Sequence, residues 1–271
     1  MYLLFDIGAT KTRLAVSKDK RSFDKPVIFD TPKDFNEGIK KIVKEARKLT
    51  PNNFRAVCGG ITGTLDKDHS KLTRSPNLSS WVMQPIQEKL EQEFKCPVFI
   101  ENDAAIVGLG EALAGSGIGD SIVVYITVST GVGGVRIVNG EIDEHSYGFE
   151  PGNELLDMQH SLEDMVSGSA VMERFNKKPF EIPQSDHLWN ELAEKLAFGL
   201  HNSIVHWSPD SIVLGGSMIV GDPAIRIEDV KRYLKEISKV YPNIPEIKKA
   251  RLGAFGGIYG AIYYLNNRLN D

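Results

Sequence analysis

The sequence has little of what marks several large classes of protein. It contains only two cysteines, Cys58 and Cys96, far apart and without CxxC spacing, which excludes a scaffold held by disulfides. No apolar run reaches the roughly 18 to 20 residues that a helix needs to cross a bilayer. No block of five lysines and arginines occurs, and the formal net charge is -4. A basic footprint for nucleic acid is therefore absent as well.

The first residues also lack the features of a signal peptide. Met1 to Ile7 is a short apolar run around Asp6, with no basic start and no small-residue cleavage site after it. We therefore predict a cytoplasmic protein with reduced thiols. Its 271 residues, 41% hydrophobic and 25% charged, are typical of a globular protein with two domains or one large one.

Short apolar runs alternate with amphipathic segments along the chain, which predicts an α/β class. Strands are predicted at residues 2–7, 12–17, 25–31, 54–61, 98–102, 121–128, 134–138 and 211–214. Helices are predicted at residues 35–48, with Asp34 as the cap, and at 81–94, 104–114, 190–207, 228–238 and 255–269.

The turn between the first two predicted strands is the first candidate site. Asp6, at a strand end, is followed by small residues, hydroxyls and Lys11. Small residues let backbone N–H groups reach phosphate oxygens, and a carboxylate can hold a hydrated Mg²⁺. A plain hairpin turn, in which Gly8 needs only a positive φ, explains the same residues. Taken alone, the turn leaves both interpretations open.

A second glycine-rich turn lies between the predicted strands 121–128 and 134–138. Ser129 to Gly134 holds three glycines and two hydroxyls in six residues, a second cradle suited to phosphate. The strand, turn and strand repeat the opening of the chain, as a duplicated nucleotide-binding fold would. Together the two turns predict a nucleotide bound from both sides.

A buried strand delivers Asn102 and Asp103 to the start of a predicted helix. Aspartate is a favoured N-cap, so capping alone is one explanation of Asp103. Phosphoryl transfer to an alcohol needs a carboxylate within hydrogen-bond reach of the attacking hydroxyl. Because capping and catalysis do not exclude one another, Asp103 is the candidate general base.

A fourth segment is a buried strand that ends in Gly215 and Gly216. Ligands bind at the carboxyl ends of strands in open α/β sheets, and glycines let a base or ribose lie against the backbone. A simple strand-to-helix turn explains this segment equally well by itself.

These motifs, in this order and over almost the whole chain, resemble the ROK family (repressor, open reading frame, kinase) of the actin-like ATPase superfamily. The resemblance implies an α/β fold of two ribonuclease H-like domains with mixed sheets and a cleft between them. We place the domains at residues 1–114 with 254–271 and at residues 115–253. It also implies a homodimeric kinase that uses ATP and Mg²⁺ to phosphorylate a hydroxyl of a hexose.

The resemblance assigns roles to individual residues. Asp103 corresponds to the catalytic acid of the family, and Asp6 is expected to hold Mg²⁺ through water. The nucleotide is expected to contact Asp6, Gly8, Thr10, Lys11, Thr130, Gly131, Gly133, Gly215 and Gly216. The sugar is expected to contact Asn77, Asn102, Asp103, Glu150 and Glu163, whose donors and acceptors suit hydroxyl groups.

The segment from Glu150 to Glu163 departs from the family pattern, in which one histidine and three cysteines hold a structural zinc. No cysteine follows Cys96, and Asn153 stands in place of the histidine. We therefore expect no zinc site of that kind, and His145 and His160 have no thiolate or carboxylate at ligand spacing. The missing histidine normally touches the sugar, so the preferred sugar and hydroxyl stay open.

Three other functions compete with the kinase. A repressor of this family carries a helix-turn-helix before the first strand, which starts here at residue 2, so we expect none. A non-catalytic sugar-binding protein is disfavoured by the joint presence of Asp6, Thr10, Thr130 and Asp103. A kinase for an amino sugar, a polyol or another small hydroxylated metabolite stays open.

Overall fold

The computed structural model describes residues 1–269 and has two compact units, each with its own sheet and core. Unit 1 comprises Met1–Leu113, Glu144–Gly148 and the C-terminal part from Leu252; unit 2 comprises Ala114–Asp143 and Phe149–Arg251. The short return of the chain to unit 1 at Glu144–Gly148 has no signal in the sequence pattern. The domain division at residues 114/115 and 253/254 stays a prediction.

The helices and strands follow one another along the chain as α/β segments. The strands are β1 Tyr2–Ile7, β2 Lys11–Ser17, β3 Val27–Asp30, β4 Ala56–Ile61, β5 Thr64–Leu65, β6 Leu72–Arg74, β7 Val98–Asn102, β8 Ile122–Val128, β9 Val132–Val138, β10 Glu141–Ile142, β11 Ser211–Gly215 and β12 Glu246–Lys249. The helices are α1 Phe35–Leu49, α2 Ile86–Phe94, α3 Asp103–Leu113, α4 Leu162–Val166, α5 Gly168–Phe175, α6 Leu188–Trp207, α7 Ser217–Val220, α8 Ile227–Ile237 and α9 Gly256–Leu269. None of the described helices is both long and apolar enough to span a membrane.

The two units contain five-stranded mixed sheets of the same topology. The strand order is β3-β2-β1-β4-β7 in unit 1 and β10-β9-β8-β11-β12 in unit 2. In each sheet an antiparallel hairpin, β1–β2 or β8–β9, has two further strands running parallel to its first strand. The repeat that the two glycine turns predict is therefore present in the topology, and the predicted α/β fold class is confirmed.

The core of unit 1 lies between its sheet and helices α1 and α2. Alternation along β1 places Leu3, Phe5 and Ile7 in this core. Asp34 caps α1, as predicted, by accepting a hydrogen bond from the N–H of Glu37. Helices α3 and α9 pack against each other and against β4, and α9 also packs against β1. The polar residues Asp6 and Asn102 lie near the ends of the central strands β1 and β7.

One predicted helix is wrong in its first turn. Periodicity predicts a helix over residues 81–94, whereas a 3-10 turn ends at Trp81 and α2 begins only at Ile86. Met83 has a positive φ of 60°. Pro85 lacks an N–H group and disfavours helical backbone in the residue before it, so the helix cannot extend backwards.

The core of unit 2 lies between its sheet and helices α4, α5, α6 and α8. The sequence predicts α6 and α8 closely but gives no signal for α4, α5 or β12, which are short. The polar residues around Pro183 are fixed by hydrogen bonds to the rest of unit 2. The amide of Gln184 exchanges hydrogen bonds of 2.7 and 3.0 Å with the backbone of Ala224, and the Pro183 carbonyl accepts one from the indole of Trp189.

Candidate active-site residues

Three parallel strands of unit 1 end at one edge of the sheet, where predicted site residues lie. β1 pairs with β4, and β4 with β7. Asp6 is the penultimate residue of β1, Asn102 is the last residue of β7, and Asp103 follows it. The carboxyl ends of parallel strands are the usual ligand-binding edge of α/β sheets. The structure therefore brings Asp6, Asn102 and Asp103 to one edge of unit 1.

Asn102 rather than Asp103 provides the cap of α3. Its Oδ1 atom accepts a hydrogen bond from the N–H of Ala105 at 3.1 Å, in the pattern of an N-cap, and its Nδ2 atom donates to the Gly63 carbonyl at 3.0 Å. Asp103 is the first residue of the helix and accepts a hydrogen bond from the hydroxyl of Thr62. Oδ1 of Asp103 also accepts a hydrogen bond from the N–H of Ala104 at 2.9 Å, but this contact reaches only the adjacent residue, and the N-cap hydrogen bond itself is made by Asn102.

The two acids at this edge have perturbed protonation. Burial, together with the charge of Asp6, raises the pKa of Asp103 from 3.8 to about 6. Burial also raises the pKa of Asp6, against the effect of Arg13, whose guanidinium lies 3.0 Å from Oδ2 of Asp6. A carboxylate with a pKa near 6 is ionised at neutral pH and is a stronger base than an ordinary aspartate.

Arg13 and Thr62 were not identified as site residues from the sequence. Arg13 pairs with Asp6 in the register of β1 and β2, so a hairpin with its turn at residues 8–11 would have predicted it. Thr62 directly follows β4, the strand beside β7, and only the order of the strands reveals that it reaches Asp103.

Two glycines, Gly60 of β4 and Gly257 of α9, lie in close contact with these acids. A Cβ atom at Gly60 would lie 2.9 Å from the Cα of Asp103, and one at Gly257 would lie 2.8 Å from the Cγ of Asp6. Cβ atoms in close-packed interiors do not reach such distances. No larger residue fits at either position without moving an acid.

The predicted phosphate turn between β1 and β2 is a tight hairpin. The N–H of Gly8 donates to the Lys11 carbonyl at 3.0 Å, and the Thr31 hydroxyl donates to the Gly8 carbonyl at 2.8 Å. Gly8 does not have the positive φ that the interpretation as a plain hairpin turn requires; a Cβ there would lie 3.2 Å from the Lys11 carbonyl oxygen. The carbonyl of Thr10 accepts from the N–H of Thr31, and the side chain of Lys11 pairs with Asp30 at the surface.

Lys33 connects this turn to Asn77, a predicted sugar contact. Its Nζ atom donates to the carbonyl oxygens of Ala9 and Asn77, at 3.0 Å each. Asn77 lies in the 3-10 turn Pro76–Trp81 with its side chain exposed. A single lysine in a predicted loop gives no sequence signal, so the link is found only in the structure.

In unit 2 the turn between β8 and β9 is held by α4 and α5. The Oε2 atom of Glu163 accepts a hydrogen bond from the N–H of Val132 at 2.7 Å, and a Cβ at Gly131 would lie 2.5 Å from that oxygen. The carbonyls of Ser129 and Thr130 accept hydrogen bonds from the first two N–H groups of α5. One oxygen of Glu163, a predicted sugar contact, is therefore committed to the turn.

Two further glycines of unit 2 that are predicted to contact the nucleotide, Gly133 and Gly215, lie on either side of one residue of β8. Thr127 pairs with Gly133 on one side and with Gly215 on the other. A Cβ at Gly215 would lie 2.4 Å from the hydroxyl oxygen of Tyr125, and Gly216 has a φ of 85°. The close tyrosine therefore requires glycine at residue 215, and the positive φ favours glycine at residue 216.

The segment that begins at Glu150 contains a further acid that the sequence does not single out. The Nδ2 atom of Asn153 donates to Oε2 of Glu150 at 3.1 Å. The next residue, Glu154, has a buried Oε1 atom without a hydrogen-bond partner. Burial raises the pKa of Glu154 to about 7, against a hydrogen bond from Asn202 that lowers it.

Each unit contains residues that suit part of a nucleotide with a hydrated Mg²⁺. Asp6 offers a carboxylate, the ligand type that Mg²⁺ prefers, and its pairing with Arg13 favours contact through water. The turns at residues 8–11 and 129–134 consist mainly of small residues, which lets their backbone approach phosphate oxygens.

The family model and several known proteins match nearly the whole length of the chain. The family model described as ROK family matches residues 2–268. The N-acetylmannosamine kinase of Haemophilus influenzae is 24% identical over 99% of this chain and 96% of its own. The ROK hexokinase of Thermus thermophilus is 25% identical with a TM-score of 0.79, over 98% of this chain and 99% of that one. A ROK transcriptional regulator, a homologue of the Escherichia coli MLC protein, shares the fold at 16% identity and a TM-score of 0.78. The match covers 97% of this chain and 77% of that one.

Proposed function

The chain belongs to the ROK family, and on that premise we propose that it is a sugar kinase that uses ATP to phosphorylate a hydroxyl of a hexose. The acceptor would resemble glucose, fructose or an N-acetylhexosamine. The observation that carries the proposal is Asp103, a carboxylate with a raised pKa that is not needed as a helix cap.

Asp103 is the proposed general base. Its carboxylate takes the proton of the sugar hydroxyl while the hydroxyl oxygen bonds to the γ-phosphorus. The bond from that phosphorus to the bridging oxygen breaks, and ADP leaves with the electron pair. Mg²⁺, held by Asp6 through water, would neutralise phosphate charge. Positioning and charge neutralisation would supply most of the rate enhancement.

The remaining site residues divide between the sugar and the nucleotide in this proposal. Amides and carboxylates suit the hydroxyl groups of a sugar, because they offer both donors and acceptors. We assign to the sugar Asn77, Asn102, Glu150 and Glu163. We assign to the nucleotide Gly8, Thr10, Lys11, Thr130, Gly131, Gly133, Gly215 and Gly216.

The test is sugar-dependent release of ADP from Mg-ATP by the full chain, with a panel of hexoses and N-acetylhexosamines. Release with one sugar supports the kinase and identifies its acceptor class. A kinase of another hydroxylated metabolite would show release only with a wider panel of polyols and amino sugars. Absence of release with all acceptors, despite ATP binding, would overturn the kinase in favour of a non-catalytic sugar-binding regulator.

The pH profile of the reaction should follow the protonation of Asp103. Because the base must be ionised and its pKa is about 6, kcat/KM is expected to be level above that value. Below it, kcat/KM should fall about tenfold per pH unit. Steady-state rates between about pH 5 and 8 measure this fall in kcat/KM. It should begin near pH 6, well above the pKa of about 4 of an ordinary aspartate. A flat profile down to about pH 5 would contradict the assignment of Asp103.

Glu163→Ala should raise the KM for ATP about tenfold, since it removes a charged acceptor for the N–H of Val132 and loosens the turn at Gly131. The KM for the sugar should rise too if the second oxygen contacts a hydroxyl. Glu163→Gln keeps an acceptor oxygen and should restore most ATP affinity. A rise in the sugar KM alone would show that the contact with Val132 is dispensable.

The quaternary structure and location of the kinase are part of the proposal. We place it in the cytoplasm, where ATP and Mg²⁺ are available, and expect a homodimer from the family resemblance. Sedimentation of the full chain measures the oligomeric state directly; a monomer at assay concentration with full activity would exclude a required dimer.

A further inference from the structure

Unit 1 brings together three metal-ligand side chains that have no role in the proposed reaction. His69 lies between β5 and β6, Glu101 lies in β7, and His145 lies in the short return segment 144–148. One ligand atom from each residue lies within 4.8 Å of the other two. The sequence shows no carboxylate at ligand spacing from His145, and Glu101 comes near it only because distant parts of the chain meet here.

The geometry of this cluster is compact. The rings of His69 and His145 are stacked, with centroids 5.6 Å apart and an interplanar angle of 9°. Nδ1 of His69 lies 3.2 Å from Oε2 of Glu101 and 3.3 Å from the Ile100 carbonyl oxygen. The side chain of Glu101 is only 3% exposed. A carboxylate so deeply buried is costly unless it is paired or coordinates a cation.

We propose that His69, Glu101 and His145 bind a divalent transition metal ion, with zinc the best match. Two imidazole nitrogens and one carboxylate oxygen form a donor set that zinc takes in proteins, with each ligand about 2 Å from the ion and a water at the fourth position. Ligand atoms around one ion are at most roughly 4 Å apart, so closing the cluster requires movements of about 1 Å. Both imidazoles are only partly buried, which allows that adjustment.

The ion replaces interactions that the side chains make with the protein. Nδ1 of His145 accepts a hydrogen bond from the N–H of Gly148 at 2.8 Å, and coordination through this atom would replace that hydrogen bond with a bond to the ion. Oε2 of Glu101 also accepts from the Tyr264 hydroxyl at 3.3 Å, while Oε1 accepts from the N–H of Asn102 at 2.8 Å. These bonds orient the carboxylate, as outer partners do in metal sites.

The consequence of binding follows from where the three residues lie. The ion ties the segment 144–148 to the end of β7, whose last residue, Asn102, caps α3. The ion would therefore restrict movement at the end of β7, directly before Asp103. The site uses none of the residues between Glu150 and Glu163, so it is distinct from the zinc position of the family pattern.

Cobalt substitution tests the proposal on the intact chain. The full chain, free of any histidine tag, is treated with chelator and titrated with Co²⁺ alone. The expected result is one Co²⁺ per chain with the intense visible bands of four-coordinate cobalt, lost on addition of one equivalent of Zn²⁺. Weak bands, or none, at saturating Co²⁺ would overturn the proposal. The measurement needs neither nucleotide nor sugar, so its result is independent of the proposed kinase activity.

Variants identify the ligands. His69→Gln and His145→Ala should each weaken Zn²⁺ binding by at least about tenfold, measured by calorimetry on chains whose circular dichroism matches the parent. The control is His160→Ala, which removes an exposed histidine paired with Asp157 outside the cluster. Unchanged affinity in both cluster variants, or loss only in the control, would overturn the assignment. If a variant does not fold, the cobalt spectrum of the parent chain decides.

Discussion

Asp103→Asn is expected to abolish nearly all phosphoryl transfer while leaving the fold and sugar binding intact. Asparagine has the shape of aspartate and keeps an oxygen that can accept from Thr62, but its amide cannot take the proton of the attacking hydroxyl. The fall in kcat should be roughly 10²- to 10⁴-fold, with little change in the KM for the sugar. Rates of ADP release with the preferred sugar measure both quantities.

The same variant should be more stable than the parent at neutral and alkaline pH. The folded pKa of Asp103, about 6, lies above its ordinary value of 3.8, so the folded chain binds this proton more tightly than the unfolded chain. Stability is therefore lost as the pH rises from about 4 to 6, and asparagine avoids that loss. The expected gain at pH 8 is about 1 to 3 kcal/mol, and it should vanish below about pH 4.

Asp34→Asn is the matched control for this variant. Asp34 caps α1 through the N–H of Glu37, and asparagine is an equally good cap, so neither activity nor stability should change. If Asp103→Asn keeps its activity, another group is the base. If it is inactive but destabilised at pH 8, Asp103 serves the fold, and the loss of activity cannot be assigned to catalysis.

Sequence patterns predict those parts of the fold that local spacing determines. The apolar runs of β1, β7, β8 and β11 and the helical periodicity of α1, α6 and α8 identify these elements within a few residues. The repeated strand, glycine turn and strand predicts the common topology of the two sheets. Periodicity fails at residues 81–94, because a proline interrupts an apolar pattern that continues through it.

Contacts between distant segments carry no such local signal. Lys33 reaches Ala9 and Asn77 only because β3 and the turn after it lie beside the opening hairpin. The histidine and glutamate cluster requires the return of residues 144–148 to unit 1. The candidate acids Asp6 and Asp103 were identified because each stands at a strand end, a position visible in the sequence, whereas their pKa values depend on burial.

Gly260→Ala is expected to cause a large loss of stability, although it adds only one methyl group. A Cβ atom at Gly260 of α9 would lie 1.7 Å from the carbonyl oxygen of Ile106 in α3. The obstacle is backbone rather than a side chain, so the two helices must separate. The contact is tight from both sides, because a Cβ at Gly110 would lie 2.7 Å from the carbonyl oxygen of Gly256 and 2.9 Å from the nitrogen of Gly260.

The free energy of unfolding should fall by at least about 3 kcal/mol, measured by urea denaturation. Gly256→Ala in the same helix is the control: the nearest atom is the Cγ1 of Val107 at 3.1 Å, a side chain that can shift. Alanine also favours a helix over glycine by about 1 kcal/mol, so the control should be near neutral. Equal losses in the two variants would mean that some effect common to both positions, and not the contact with Ile106, requires glycine at residue 260. Because α3 begins at Asp103 and Gly257 lies against Asp6, separation of the helices should also displace both acids, and transfer activity should fall along with stability.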